Sequence, residues 1–154
     1  FHIDLFLFSC YTGGTTLLEI AYFTNDSLSG GVITYQRHKT SKMACIPINP
    51  YSQAIIDKYK DECYGNYLLP IFTHKHNNEI QQRARVKRIA EQVNQTLKKV
   101  RGLIGCNCEI TLGVTTQLFI ERMISFETPP DAIASYVGCR IETVFKYWEK
   151  KADL

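Results

Sequence analysis

Val32-Ile33-Thr34-Tyr35-Gln36-Arg37-His38-Lys39-Thr40-Ser41-Lys42-Met43-Ala44-Cys45-Ile46-Pro47 is the stretch on which the fold turns. Its first arm, Val32 to Tyr35, is β-branched and aromatic. The second, Met43 to Ile48, is largely apolar, so the two read as the strands of one short β-hairpin. Pro47 suits a strand end or an edge, where no ladder N–H is required. The run Arg37-His38-Lys39-Thr40 falls at the turn, and a lysine held there can deliver one proton or one positive charge to a fixed place.

The chain on either side reads as mainly helical. Residues 3–23 carry apolar residues on one side of a helix, with a break at Gly13-Gly14. Asn25 to Gly31 reads as a loop leading into the hairpin. After it, Asn49-Pro50 opens a helix, with Pro50 at a favourable first position and Ile55, Ile56 and Tyr59 facing inward. From Asp61 to Asn78 the chain is irregular, and Leu68-Leu69-Pro70-Ile71-Phe72 reads as an extended apolar strip. Glu79 to Ile104 is the clearest helix, closed by Gly105. Its inward stripe reads as Ile80, Ala84, Val86 or Ile89, Val93, Leu97 and Val100. Its other face carries Arg83, Arg85, Lys87, Arg88, Lys98, Lys99 and Arg101. Further helices are expected over Thr111 to Phe126, Pro129 to Gly138 and Glu142 to Lys151. The fold class is therefore α+β, mostly α, with one small antiparallel hairpin or sheet, and residues 1–154 form a single domain.

With 154 residues, 45% of them hydrophobic and 21% charged, the chain can bury a core and is not of the disordered class. A net charge of +3 is compatible with a polyanionic partner without requiring one. No apolar run approaches the ~20 residues of a membrane span, so no membrane partner is expected. The opening Phe1 to Phe8 is interrupted by Asp4 and has no basic stretch before it, so it is not expected to be a signal peptide. Without an initiating methionine, the chain is expected to begin inside a domain or at a domain boundary. The six cysteines show no regular spacing, and Cys106-Asn107-Cys108 is too tight for a zinc pair. Buried free thiols in a reducing compartment are expected, with no metal. His74 and His76 fall in a polar loop read as exposed.

Three stretches together resemble the catalytic domain of the tyrosine recombinase (phage integrase) family. They are Leu5-Phe6-Leu7-Phe8-Ser9-Cys10-Tyr11-Thr12 with Glu19-Ile20-Ala21-Tyr22, the hairpin segment Tyr35 to Thr40, and Tyr67-Leu68-Leu69-Pro70-Ile71 followed by the long basic helix. The resemblance runs over nearly the whole chain and is closest to integrases of mobile elements. It implies double-stranded DNA as partner, other recombinase subunits on that DNA, and no cofactor. It also implies a bacterial cytoplasmic location at the nucleoid, and a separate core-binding domain that would precede Phe1. In that family a tyrosine attacks a phosphodiester and conserves its energy as a phosphotyrosine. Two arginines and histidines meet the charge of the phosphorane, and a lysine protonates the departing oxygen.

Carried over position by position, the resemblance puts Lys39 at the general-acid position and Tyr147 at the nucleophile position. The first arginine falls near Gly13 or Thr16. The second motif falls on Gly113 to Gln117, with Thr116 at the arginine position and Gln117 at the following histidine; the later histidine becomes Cys139. The interval from Cys139 to Tyr147 is one residue shorter than the family spacing. DNA contacts are expected from Arg37, His38, Arg83, Lys87 and Lys98. A phosphate-clamping arginine is worth about 10³–10⁵ in rate in phosphoryl-transfer enzymes, so the site is expected to be catalytically impaired. Two alternatives stand beside this reading. One is an active divergent recombinase whose arginines come from Arg37, Arg122 or Arg140. The other is a protein-interaction module docking through the aromatic patch at Tyr147 and Trp148. A monomer is expected in isolation.

Overall fold

The computed structural model describes residues 1–38, 41 and 43–152, the side chains of residues 150–152 excepted. Lys39 therefore lies outside the described residues. The elements run α1 (His2–Tyr11), α2 (Leu17–Ala21), β1 (Leu28–Ser29), β2 (Val32–Gln36), β3 (Met43–Pro47), α3 (Pro50–Tyr59), α4 (Glu79–Leu103), α5 (Val114–Ser125), α6 (Pro130–Val137) and α7 (Ile141–Ala152). The fold is mostly helical with one small antiparallel sheet, as the residue pattern implies.

The hairpin pairs Val32 with Pro47, Tyr35 with Ala44 and Gln36 with Met43. Ile33 and Ile46 stand opposite each other and both are buried. Pro47 closes the pairing, where its missing N–H removes no ladder bond. Within the loop expected over residues 25–31 the structure has a third strand, β1, with Leu28 opposite Ile33. Two residues of strand carry no periodic signal. The turn that makes the pairing is Gly30-Gly31, both at positive φ, the two-residue connection whose twist matches that of paired strands.

The main core gathers Leu5 and Phe8 of α1, Ile20 of α2, the inner face of the sheet, α3 and one stripe of α4. Leu68, Leu69, Ile71 and Phe72 are buried in it as expected, but in turns and not as an extended strip: the Ile71 N–H bonds the Leu69 carbonyl at 2.8 Å. That irregular segment sets the register of α4. Gln82 donates to the His76 carbonyl and Arg85 to the Ile71 carbonyl, so polar residues hold the inward positions where α4 begins. The buried stripe is consequently Val86, Ile89, Val93 and Leu97. Ile80, expected inside, is 81% exposed, and Ala84 is exposed as well.

A second, smaller core joins Ile120 and Ile124 of α5 with Ile133 and Ala134 of α6 and Val144 of α7. Polar contacts stitch it to the first. The buried Ser9 hydroxyl of α1 lies 2.7 Å from the Thr15 carbonyl and 2.9 Å from the Thr115 hydroxyl at the start of α5. The cysteines depart from expectation. All six are free, but Cys45 and Cys108 are exposed and the other four only half-buried. Cys45 faces outward from β3, whose residues alternate between exposed and buried.

Candidate functional site

The site forms where the two cores meet. Thr16 caps α2 through a capping box: its hydroxyl accepts from the Glu19 N–H, while Glu19 Oε2 accepts from the Thr16 N–H and hydroxyl at 3.3 and 3.0 Å. This holds the buried Glu19 carboxylate in place, its other oxygen 3.8 Å from Arg37 Nη1. Arg37 lies one residue past the end of β2. Its guanidinium donates to the Tyr136 carbonyl at the end of α6, where helix carbonyls favour a cation.

Two glycines let these groups approach. Gly138 ends α6 at φ +73°, and a Cβ there would sit 2.5 Å from Arg37 Nε. Gly14, at φ +74°, lies so close to α5 that a Cβ would be 2.4 Å from Thr116 Cα. The Thr116 hydroxyl donates to the Gly14 carbonyl at 2.8 Å. Beside it, a Cβ on Gly13 would run into the Tyr136 ring, so that position has no room for an arginine.

The result is a cavity of about 190 Å³ whose wall includes Gly13, Thr16, Glu19, Arg37, Thr116 and Cys139. Residues at three of the positions that the resemblance assigns to an active site, Gly13 or Thr16, Thr116 and Cys139, thus share one wall, and Arg37 joins them. Among the described residues, the other assigned positions do not line the wall. Gly113 is exposed at the start of α5, and Gln117 bonds Glu121 at 2.7 Å. Tyr147 is half-buried against the second core. His38 is exposed, its ring 5.0 Å from that of Tyr22. Arg83, Lys87 and Lys98 are exposed on α4, and Arg83 pairs with Glu79 at 2.6 Å. Of the substitute arginines, Arg122 lies over Phe126, away from the cavity. Arg140 lines an adjoining depression of about 350 Å³ that shares Arg37, Gly138 and Cys139 with the first.

Burial decides the protonation states here. It pushes up the Cys139 thiol and the Tyr136 phenol, and it takes Tyr35 up to about 12, with the Glu19 carboxylate adding to the effect. All three stay protonated at neutral pH, so Cys139 offers no thiolate. Among the described residues, the buried Tyr35 hydroxyl has no hydrogen-bond partner. The described residues on the wall offer one guanidinium, one carboxylate and several hydroxyls. Arg37 was named from the sequence as a DNA contact and a substitute arginine; the role of Glu19 was missed, although its Thr-x-x-Glu capping pattern could have indicated it. The contribution of Tyr136, a backbone carbonyl, leaves no trace in residue type.

No family model matches the chain, and no curated protein matches it. Solved structures do. The crystal structure of XerA recombinase superposes with a TM-score of 0.66 at 13% identity, over 95% of this chain and 55% of that one. A variant of the Tn1549 transposon integrase in complex with transposon right-end DNA gives 0.61 at 14%, over 96% and 54%. Another variant of that integrase, in complex with a circular intermediate DNA, gives 0.59 at 16%, over 95% and 53%. The architecture is therefore that of a recombinase catalytic domain. This particular chain shares that fold and spans about half the length of the structures it matches.

Proposed function

We propose that this chain is a DNA-binding, site-specific-recombinase-like domain in which strand cleavage is impaired. The observation that carries the reading is the convergence of Gly13, Thr16, Thr116 and Cys139 on one cavity. The positions belong together, but none carries a charge able to clamp a phosphorane. Lys39, as general acid, and Tyr147, as nucleophile, would then face an unneutralised transition state, short of the about 10³–10⁵ in rate that an arginine clamp supplies. Duplex contacts are assigned to Arg37, His38 and the exposed cations Arg83, Lys87 and Lys98. That a fold-sharing integrase is held on transposon-end DNA supports the choice of ligand. A monomeric state and a bacterial cytoplasmic location, at the nucleoid when bound to DNA, follow from this reading. Titrating a labelled duplex at several salt concentrations tests it. Affinity is expected to fall with salt at a slope near −0.9 per phosphate contacted. Affinity that ignores salt, or no duplex binding at all, overturns it.

A second reading is favoured by Arg37 on the cavity wall: an active enzyme whose clamp comes from the hairpin. A nicked suicide duplex separates the two readings. A covalent adduct that disappears in Tyr147→Phe establishes activity; its absence, alongside salt-dependent binding, establishes the impaired domain.

A further inference from the structure

We propose that Arg37 and Arg140, at neither of the positions where the resemblance expects an arginine, form a phosphate-oxyanion site on the two sides of Gly138, with Glu19 as the carboxylate that phosphate displaces. The inference rests on the DNA-binding reading only for the source of the phosphate.

Arg37 is a buried cation whose partner is incomplete. Its side chain is 10% exposed, yet the nearest Glu19 oxygen is 3.8 Å away, beyond hydrogen-bond reach. Glu19 cannot close that distance freely, because its other oxygen is tied to Thr16 in the capping box. A guanidinium is a fork suited to two oxygens at once; here one arm donates to the Tyr136 carbonyl, while the carboxylate stays 3.8 Å from the other. An oxyanion entering from the cavity supplies what the carboxylate does not.

The surroundings favour such an entry. Arg37 borders both the 190 Å³ cavity and the 350 Å³ depression, and the missing side chain at Gly138 keeps it accessible between them. Arg140 lines the outer depression. Glu19 is the sole carboxylate among the described residues lining either space, so two cations face one anion. The inner cavity has several times the ~30 Å³ share of one water, which is room for a phosphate group. Behind the wall, the buried Tyr35 hydroxyl lacks a partner among the described residues, and the Arg37 guanidinium lies 5.7 Å from the Tyr35 ring centre. Glu19, Arg37 and Tyr136, whose charges act on that phenol, all line the cavity.

The test follows arginine Nε–H resonances of the whole chain during titration with inorganic phosphate at low salt, and separately with a short duplex. Phosphate is expected to shift Arg37 and Arg140 saturably. Glu19→Gln, which preserves the capping box, is expected to tighten phosphate about tenfold by removing the competing charge. Arg140→Gln, at an exposed position, is expected to weaken it with the melting temperature unchanged. An Arg37 resonance that stays still, or a Glu19→Gln variant with unaltered affinity, overturns the site. If the duplex moves the same resonances, the phosphate comes from DNA. If phosphate moves them and no duplex binds, the site stands and the DNA-binding reading falls. If the duplex binds while neither it nor phosphate moves Arg37, the site falls and the DNA reading stands.

Discussion

The tightest constraints in this molecule are places where a side chain is missing. Gly138→Ala would force a residue with a Cβ into a left-handed backbone and against Arg37 Nε, with loss of about 2–3 kcal/mol expected in urea unfolding. Gly14→Ala should lose more, because its Cβ would meet the backbone of Thr116, which cannot swing aside as a long side chain can. Equal effects at the two positions would mean that Arg37 is held as rigidly as a helix. At this scale the signals that the sequence carries are local ones: Thr16 and Glu19 form their box within four residues. It was silent where the partner comes from far along the chain. Nothing in residues 30–40 indicates that Tyr136 offers its carbonyl to Arg37, since that depends on how α6 ends and packs.

Among the elements, α4 shows how a correct helix can carry a wrong stripe. Its 25 residues and basic face were evident, but the inward row was read to start at Ile80. The buried loop against it carries carbonyls that need donors, and Gln82 and Arg85 supply them. An apolar-only reading therefore drifts off register over those first turns. The same loop carries a pH-sensitive group. Burial, with the Arg85 charge adding to it, holds the His76 imidazole below its ordinary 6.5, and its Nδ1 accepts from the Thr73 N–H at 3.0 Å. The unfolded chain binds a proton there more readily than the folded one does. The contribution to stability is therefore fully present above pH 6.5 and is lost as pH falls through the lowered folded value. Urea midpoints should decline from pH 7 toward pH 5, and His76→Gln should flatten part of that slope. A slope unchanged in His76→Gln would place the titration elsewhere.

The molecule as a whole is two cores of unequal size. The larger spans α1 to α4 and the sheet; the smaller holds, among the described residues, five buried ones of α5 to α7. Local stability follows buried apolar contact, so native-state hydrogen exchange should show α5–α7 opening at lower free energy than α4. Uniform protection across both would indicate that the stitching at Ser9, Thr115 and Arg37 makes them one cooperative unit. Fold class and nearly every helix were legible because they rest on local periodicity. The meeting of Gly13, Thr16, Thr116 and Cys139 was anticipated only through a resemblance, and their shared cavity appears once α5 and α6 close over the Gly13-Gly14 turn. The contact between Arg37 and Gly138 also constrains the history open to this chain. These two sites lie about a hundred residues apart in sequence and occupy one space. A side chain at position 138 costs less once the one at 37 is shortened, and a long residue at 37 is best accommodated beside the glycine. Descendants of this chain should therefore tend to vary at the two sites in concert.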